Sequence, residues 1–256
     1  MKRVLTAVLL VPFVVYTVLW ASPWVFLAVV AIAAVLSYRE YDGIAAAYGC
    51  GAPGALGYAG LLLLVVPYQQ AWLAVTAVAL AALVLALRAE PLAHALPRTS
   101  LLMLGVIYIF GCWRCAVVLH EHSAYWLMYA LLVSWTGDIG AYYVGKAFGK
   151  HRLADRVSPK KSWEGAAASV VTSVLLSGAY LVYIAGGVSI SKAVLLTAAA
   201  NAAGQLGDLV ESAMKRGAGV KDSGSLLPGH GGFLDRVDSA LFVMPVVAGW
   251  LIAVGA

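Results

Sequence analysis

NAAGQLGDLVESAMKR, residues 201–216, carries an asparagine, a glutamine, two acids and a Lys-Arg pair, and it continues an apolar run. Asn201, Gly204 or Gln205, Asp208, Ser212 and Lys215 recur at spacings of three and four. On a helix of 3.6 residues per turn they form one stripe. A polar stripe on a membrane helix points at other protein or at water, never at lipid tails. Small and polar residues also glue membrane helices together through hydrogen bonds. An acid and a base at one end of the stripe exceed what such glue requires, so the stretch reads as part of a functional site inside a helical bundle.

The rest of the chain supports a membrane setting. Of its 256 residues 62% are hydrophobic and only 11% are charged, against about 25% charged in a soluble domain. Apolar runs near the roughly 20 residues that cross a bilayer as a helix recur from end to end. The expected fold class is an all-α integral membrane protein, a polytopic bundle of about nine transmembrane helices with a cytoplasm-facing polar cavity. The spans fall near 4–20, 23–36, 55–67, 71–87, 99–118, 124–144, 166–185, 190–210 and 237–255. Ser22-Pro23 divides the first two, which form a tilted pair or a re-entrant hairpin. Lys2-Arg3 before an apolar run resembles a leader, but Leu19 stands at the −3 position, where cleavage after Ala21 needs a small residue. A retained anchor is the expectation.

With the N-terminus in the cytoplasm, nearly all of the 17 basic residues face one side; only Lys192 falls outside, and Arg114 lies within a span. That asymmetry follows the positive-inside rule. It predicts an inner-membrane protein with a cytoplasmic N-terminus and site and an extracytoplasmic C-terminus. The net charge of +5 is accounted for by basic loops on the anionic inner leaflet. No nucleic acid is expected as a partner, because no continuous basic face on a soluble fold exists. Three cysteines make no disulfide framework. Cys112-Trp-Arg-Cys115 lacks a second ligand pair, and His120-Glu-His122 reads as a solvated turn at the outer side.

Two regions are distinguished: 1–130, a transmembrane scaffold, and 131–256, a transmembrane catalytic region. Asp138, in LLVSWTGDIGAYYVG, is either satisfied by neighbouring hydroxyls or part of the site. KDSGSLLPGHGGFLDRVDS, 221–239, is a glycine-rich, charge-dense loop running into the last span. Asp235 and Asp238 lie three apart, on one helix face, where the helix dipole favours carboxylates. With Asp208 they offer the hard oxygen set that Mg²⁺ takes together with phosphates and water. Gly229, Gly231 and Gly232 around His230 let backbone N–H groups approach phosphate oxygens. Lys215, Arg216, Lys221 and Arg236 add positive charge. GKAFGKHRLADRVSPKKSWEG, 145–165, holds six Lys and Arg against two acids. An inside-facing loop alone explains such a bias. Ser158-Pro-Lys160-Lys161-Ser-Trp-Glu-Gly165, however, reads as a compact turn suited to clamping a triphosphate.

SAMKRGAGVKDSGSLLPGHGGFLDRVD, 212–238, resembles the signature of the phosphatidate cytidylyltransferases (CDP-diacylglycerol synthases) at every fixed position. GDIGAYYVGKAFGKHRLADRVSPKKSWEG, 137–165, and GQLGDLVES, 204–212, look like that family's other blocks. The resemblance implies transfer of CMP from CTP to phosphatidate in the lipid bilayer by a multi-span, inner-membrane homodimer. It also implies a divalent metal such as Mg²⁺, with K⁺ as a second cation. Carried over, Asp208 and Asp235 bind metal, Asp238 completes the cluster, and Ser212 and Lys215 contact phosphate. A secondary transporter using Asp138 and Asp208 for ion coupling is the main alternative. It is disfavoured because the acids gather toward one membrane face and no inverted repeat is visible.

Overall fold

The computed structural model describes residues 2–51, 53–226 and 231–254. His230 and Gly229 therefore lie outside the described residues. The apolar stretches fold as helices: α1 Lys2–Leu19, α2 Pro23–Ala46, α3 Leu62–Val65, α4 Ala71–Ala86, α5 Ala95–Gly105, α6 Cys112–His122, α7 Ala124–Phe148, α8 Trp163–Tyr180, α9 Ile190–Gly217 and α10 Leu234–Val254. A π-helical turn, Val106–Gly111, joins α5 to α6, and another, Leu181–Ala185, extends α8. Among the described residues five helices are long and apolar enough to cross a membrane: Pro23–Ala46, Leu92–His122, Trp163–Ala185, Ile190–Gly217 and Leu234–Val254. Large apolar side chains stand exposed along them, Trp24 at 81% and Tyr183 at 80%. Surfaces of this kind need lipid around them. The chain is an all-α, multi-pass membrane protein.

Several boundaries differ from the sequence expectation, each for a local reason. Ser22 caps α2, its hydroxyl accepting from the Val25 N–H at 3.4 Å, with Pro23 at the first helical position. α2 then continues ten residues past the expected end at 36. Val30, Ala33, Ala34, Ser37, Tyr38, Tyr41, Ile44 and Ala45 keep one buried face going through the charged stretch. The third apolar run folds as a 3₁₀ turn, Ala55–Leu61, and the short α3. His120 and His122 end α6 rather than forming a turn, and the His120 ring stands 3.1 Å from the Val18 carbonyl. The paired-lysine turn is instead a hairpin of β1 Arg152–Ala154 and β2 Ser158–Ser162, Arg152 opposite Ser162 and Ala154 opposite Ser158. Glu164 holds its open end, accepting from the N–H groups of Lys150 and His151, while Ser162 caps α8. These local bonds offer the backbone a better arrangement than an open turn.

The chain forms two compact units. The first takes Met1–Phe13, Ala21–Val117 and Met214–Arg236; the second takes Val14–Trp20, Val118–Ala213 and Val237–Ala256. In the first, aromatic packing around α2 makes the core, Tyr38 lying 5.3 Å from Phe110 between ring centres. The Tyr41 hydroxyl donates to the Leu101 carbonyl at 2.8 Å. Arg114 is 9% exposed and donates to the Leu64 carbonyl at 3.2 Å, which offsets its place inside a span. In the second unit α7, α8 and α9 are joined by short polar side chains. Thr136 meets Ser177 at 2.9 Å, Ser173 donates to the Val133 carbonyl, and Asn201 bonds Ser169 and Ser173.

Candidate active site

In the second unit, the stripe along α9 divides by partner. Asn201 donates to Ser169 at 3.0 Å and to Ser173 at 2.9 Å, and its carbonyl accepts from Gln205 at 2.7 Å. Gln205 also reaches the Ala166 carbonyl at 3.1 Å. These two side chains are interhelical glue. One turn further on, Asp208 faces the Lys161 ammonium at 2.5 Å, the two side chains being 33% and 27% exposed. Ser212 donates to the same carboxylate at 3.4 Å. β2 delivers Lys161 because side chains alternate along a strand; its neighbour Lys160 is exposed.

Asp238 is brought to this cluster by close helix packing. A Cβ at Gly207 would meet the Asp238 carbonyl at 2.7 Å and the Phe242 ring at 2.8 Å, so α9 and α10 approach there only because the residue is glycine. The Asp238 carboxylate accepts from the Ser239 N–H at 2.7 Å and feels the charges of Asp208, Glu211 and Asp138. Glu211 is fully buried. The result is a concentration of negative charge with Lys161 facing Asp208, where that lysine can exchange its carboxylate for phosphate.

The first unit holds a different arrangement. The Lys215 ammonium pairs with Asp235 Oδ1, the side chains being only 10% and 6% exposed. Asp235 Oδ2 accepts from the N–H groups of Gly232 at 2.8 Å and Ser223 at 3.0 Å. Gly231, at φ 81°, lies beside Asp235 and Asp222. Glu40, from α2, accepts from the N–H groups of Phe233 at 2.9 Å and Leu234 at 2.7 Å and from the Ser223 hydroxyl at 2.8 Å.

Of the residues expected from sequence, Asp208, Ser212, Lys161 and Asp238 meet in the second unit, with Asp138 in electrostatic reach of Asp238. Lys215, Asp235 and Gly232 meet in the first. Ser158 lies in β2, opposite Ala154. Lys160, Lys221 and Arg236 are exposed, and Arg216 turns to the Val220 carbonyl at 3.2 Å. Among the described residues no group of three His, Cys, Asp or Glu side chains is gathered closely enough to hold a metal ion. Asp208 and Asp238 carry the hard carboxylate oxygens that Mg²⁺ takes, and the charge of Asp208 is felt at Asp238. The sequence reading passed over Glu40, Ser223 and Glu211. Glu40 was hidden by the fall in hydropathy after residue 36, although the apolar spacing through Ser37, Tyr41 and Ile44 continues the helix. Glu211, an acid in a membrane helix, carried its own signal.

Comparison with known proteins gives the same direction. A stretch of 145 residues is 43% identical to a phosphatidate cytidylyltransferase of Bacillus subtilis (strain 168), covering 56% of this chain and 54% of the relative. A relative of that name from Haemophilus influenzae is 43% identical over 128 residues, 48% of this chain and 44% of its own. One from Staphylococcus haemolyticus is 39% identical over 145 residues, 57% and 56% respectively. The chain spans about half the length of the curated relatives it matches. The model of the cytidylyltransferase family matches residues 1–253. With nearly the whole chain covered, this protein belongs to the cytidylyltransferase family.

Proposed function

We propose that the protein transfers CMP from CTP to phosphatidate, giving CDP-diacylglycerol and pyrophosphate for phospholipid synthesis. A phosphate oxygen of phosphatidate forms a bond to the α-phosphorus of CTP, and the bond from that phosphorus to the pyrophosphate oxygen breaks. Phosphatidate is already largely dianionic at neutral pH, because the second pKa of a phosphate monoester is about 6. A strong general base is therefore not needed; alignment and charge neutralisation are. The observation that carries this reading is the family match over residues 1–253, with relatives named phosphatidate cytidylyltransferase; the Lys161–Asp208 pair at 2.5 Å supplies a place for the phosphates. The pair is partly exposed, so Lys161 would turn to triphosphate oxygens at little cost and leave Asp208 to hold a divalent cation.

In this reading Lys161 and Ser212 hold phosphate oxygens, and Asp208 and Asp238 hold Mg²⁺. Asp235 is kept as a proposed ligand on its spacing from Asp238 along one helix. The bound cation would supply charge neutralisation at the α- and β-phosphates, with K⁺ as a proposed second ion. Lys215 and the N–H groups near Gly231 and Gly232 are proposed phosphate contacts. The exposed Lys160, Lys221, Arg216 and Arg236 draw the anionic substrates in, and Ser158, Asp138 and His230 complete the proposed set. The same reading includes nine spans, a polar cavity open to the cytoplasm at the inner membrane, and a homodimer. Acyl chains stay among the spans while the headgroup meets CTP at the membrane edge.

Labelled CTP and phosphatidate in detergent micelles test the reaction. Lipid-linked CMP is expected with Mg²⁺ and its loss on chelation; no lipid-linked label under any divalent cation would reject the enzyme.

A further inference from the structure

Glu40 is a charged residue only 9% exposed, in the C-terminal half of α2 in the scaffold region. An acid withdrawn into a membrane protein is expensive and is kept where it has partners and a purpose. Its partners are all in the glycine-rich loop of the same unit. Oε1 takes the Phe233 N–H, and Oε2 takes the Leu234 N–H and the Ser223 hydroxyl. Ser223 in turn accepts from the Asp235 N–H at 3.3 Å and donates its own N–H to Asp235 Oδ2. Glu40 and Asp235 thus share the loop's donors: the N–H groups of residues 232, 233 and 234 all end on one carboxylate or the other. The positive end of the α10 dipole further offsets the charge on Glu40.

The glycines are cut to fit this carboxylate. A Cβ at Gly232 would collide with Glu40 Oε2 and the Ser223 hydroxyl, and one at Gly224 would press into the Glu40 carboxyl group. Both arms of the loop, 223–224 and 232–234, are therefore closed onto a single side chain from α2. Three hydrogen bonds to one charged group hold residues 223, 233 and 234 in a single arrangement.

We infer that Glu40 is a positioning residue for the reaction. It clamps the two arms of the glycine-rich loop and so fixes the orientation in which Lys215-bound Asp235 is presented. The inference rests on the reading that this loop serves the phosphates of nucleotide and lipid. It assigns part of the catalytic geometry to the N-terminal scaffold.

The test uses the full chain in detergent micelles, with Glu40→Gln and Glu40→Asp. A nitroxide is attached at Ser225→Cys after Cys50, Cys112 and Cys115 are replaced by alanine. Gln keeps the size of Glu but turns an NH₂ toward donors. The expected result is at least a tenfold fall in kcat with KM for CTP changed less than threefold, an unchanged melting temperature, and a sharper, more mobile nitroxide spectrum. Asp, which keeps the charge, is expected to recover part of kcat and part of the immobilisation. Unchanged kcat and an unchanged spectrum in Glu40→Gln overturn the inference, as does a loss of kcat that only tracks the loss of folded protein. A wild-type protein without CMP transfer rejects the proposed reaction, yet the nitroxide comparison still decides whether Glu40 clamps the loop.

Discussion

The acids of the two units differ in what surrounds them. In the first, the carboxylates of Glu40 and Asp235 are supplied with donors: backbone N–H groups, the Ser223 hydroxyl and the Lys215 ammonium. In the second, Asp208 meets one partly exposed lysine and a long serine contact, and Asp238 lies among other carboxylates. Burial and full hydrogen bonding make an acid part of the architecture, because removing it leaves several donors and a cation uncompensated. Crowding of like charges has the opposite meaning. It leaves a place where a cation or a new partner gains the most. The first arrangement closes the loop onto its acids, and the second leaves Asp208 with a partner it can exchange.

The largest effects should separate the two kinds of acid. Asp208→Asn is expected to cut kcat at least about a hundredfold, the scale of losing one well-placed electrostatic group, with the melting temperature in detergent nearly unchanged. Asp235→Asn breaks a pair whose side chains are 10% and 6% exposed. Breaking such a buried pair costs about 3–5 kcal/mol, so a marked fall in melting temperature accompanies its loss of activity. The opposite pattern, a destabilised Asp208 variant and a thermally intact Asp235 variant, would overturn the division.

A second comparison lies within β2. Strand alternation sends Lys161 to Asp208 and leaves Lys160 exposed. Lys161→Ala should lower kcat/KM for CTP by about tenfold to a hundredfold, since a charge-assisted hydrogen bond is worth about 1.5–3 kcal/mol. Lys160→Ala should stay within about threefold, the scale of an exposed charge pair. Equal losses in both variants would mean that the hairpin's net charge, not its register, serves the nucleotide.

Much of this was legible in the chain, and for identifiable reasons. Apolar run length located the longer helices, since backbone groups in lipid have no alternative to helical pairing, but not the broken third run. The α9 periodicity placed Asp208 and Ser212 on one face. What escaped depended on contacts distant in sequence. Glu40 meets Ser223 and Leu234 across 183 and 194 residues, and no local pattern announces such a pairing. Lys160 and Lys161 were indistinguishable until the hairpin register was known. Asn201 and Asp208 shared a stripe, and only their partners show that one is glue while the other faces a lysine.

That last distinction carries the smallest predicted effect. Asn201→Ala removes the bonds to Ser169 and Ser173 and the carbonyl that receives Gln205. Interhelical hydrogen bonds in membrane proteins average about 0.6 kcal/mol each, because the partners left behind find others nearby. The loss should therefore total about 1–2 kcal/mol and lower the melting temperature by a few degrees. Activity per folded molecule should remain within about twofold, because the network's bonds among the described residues run to Ser169, Ser173 and Gln205 and not to the Lys161–Asp208 pair. Were turnover to collapse in a variant that melts normally, the functional part of the α9 stripe would extend a full two turns deeper into the bundle. The boundary between glue and site would then lie beyond Asn201 rather than between Gln205 and Asp208.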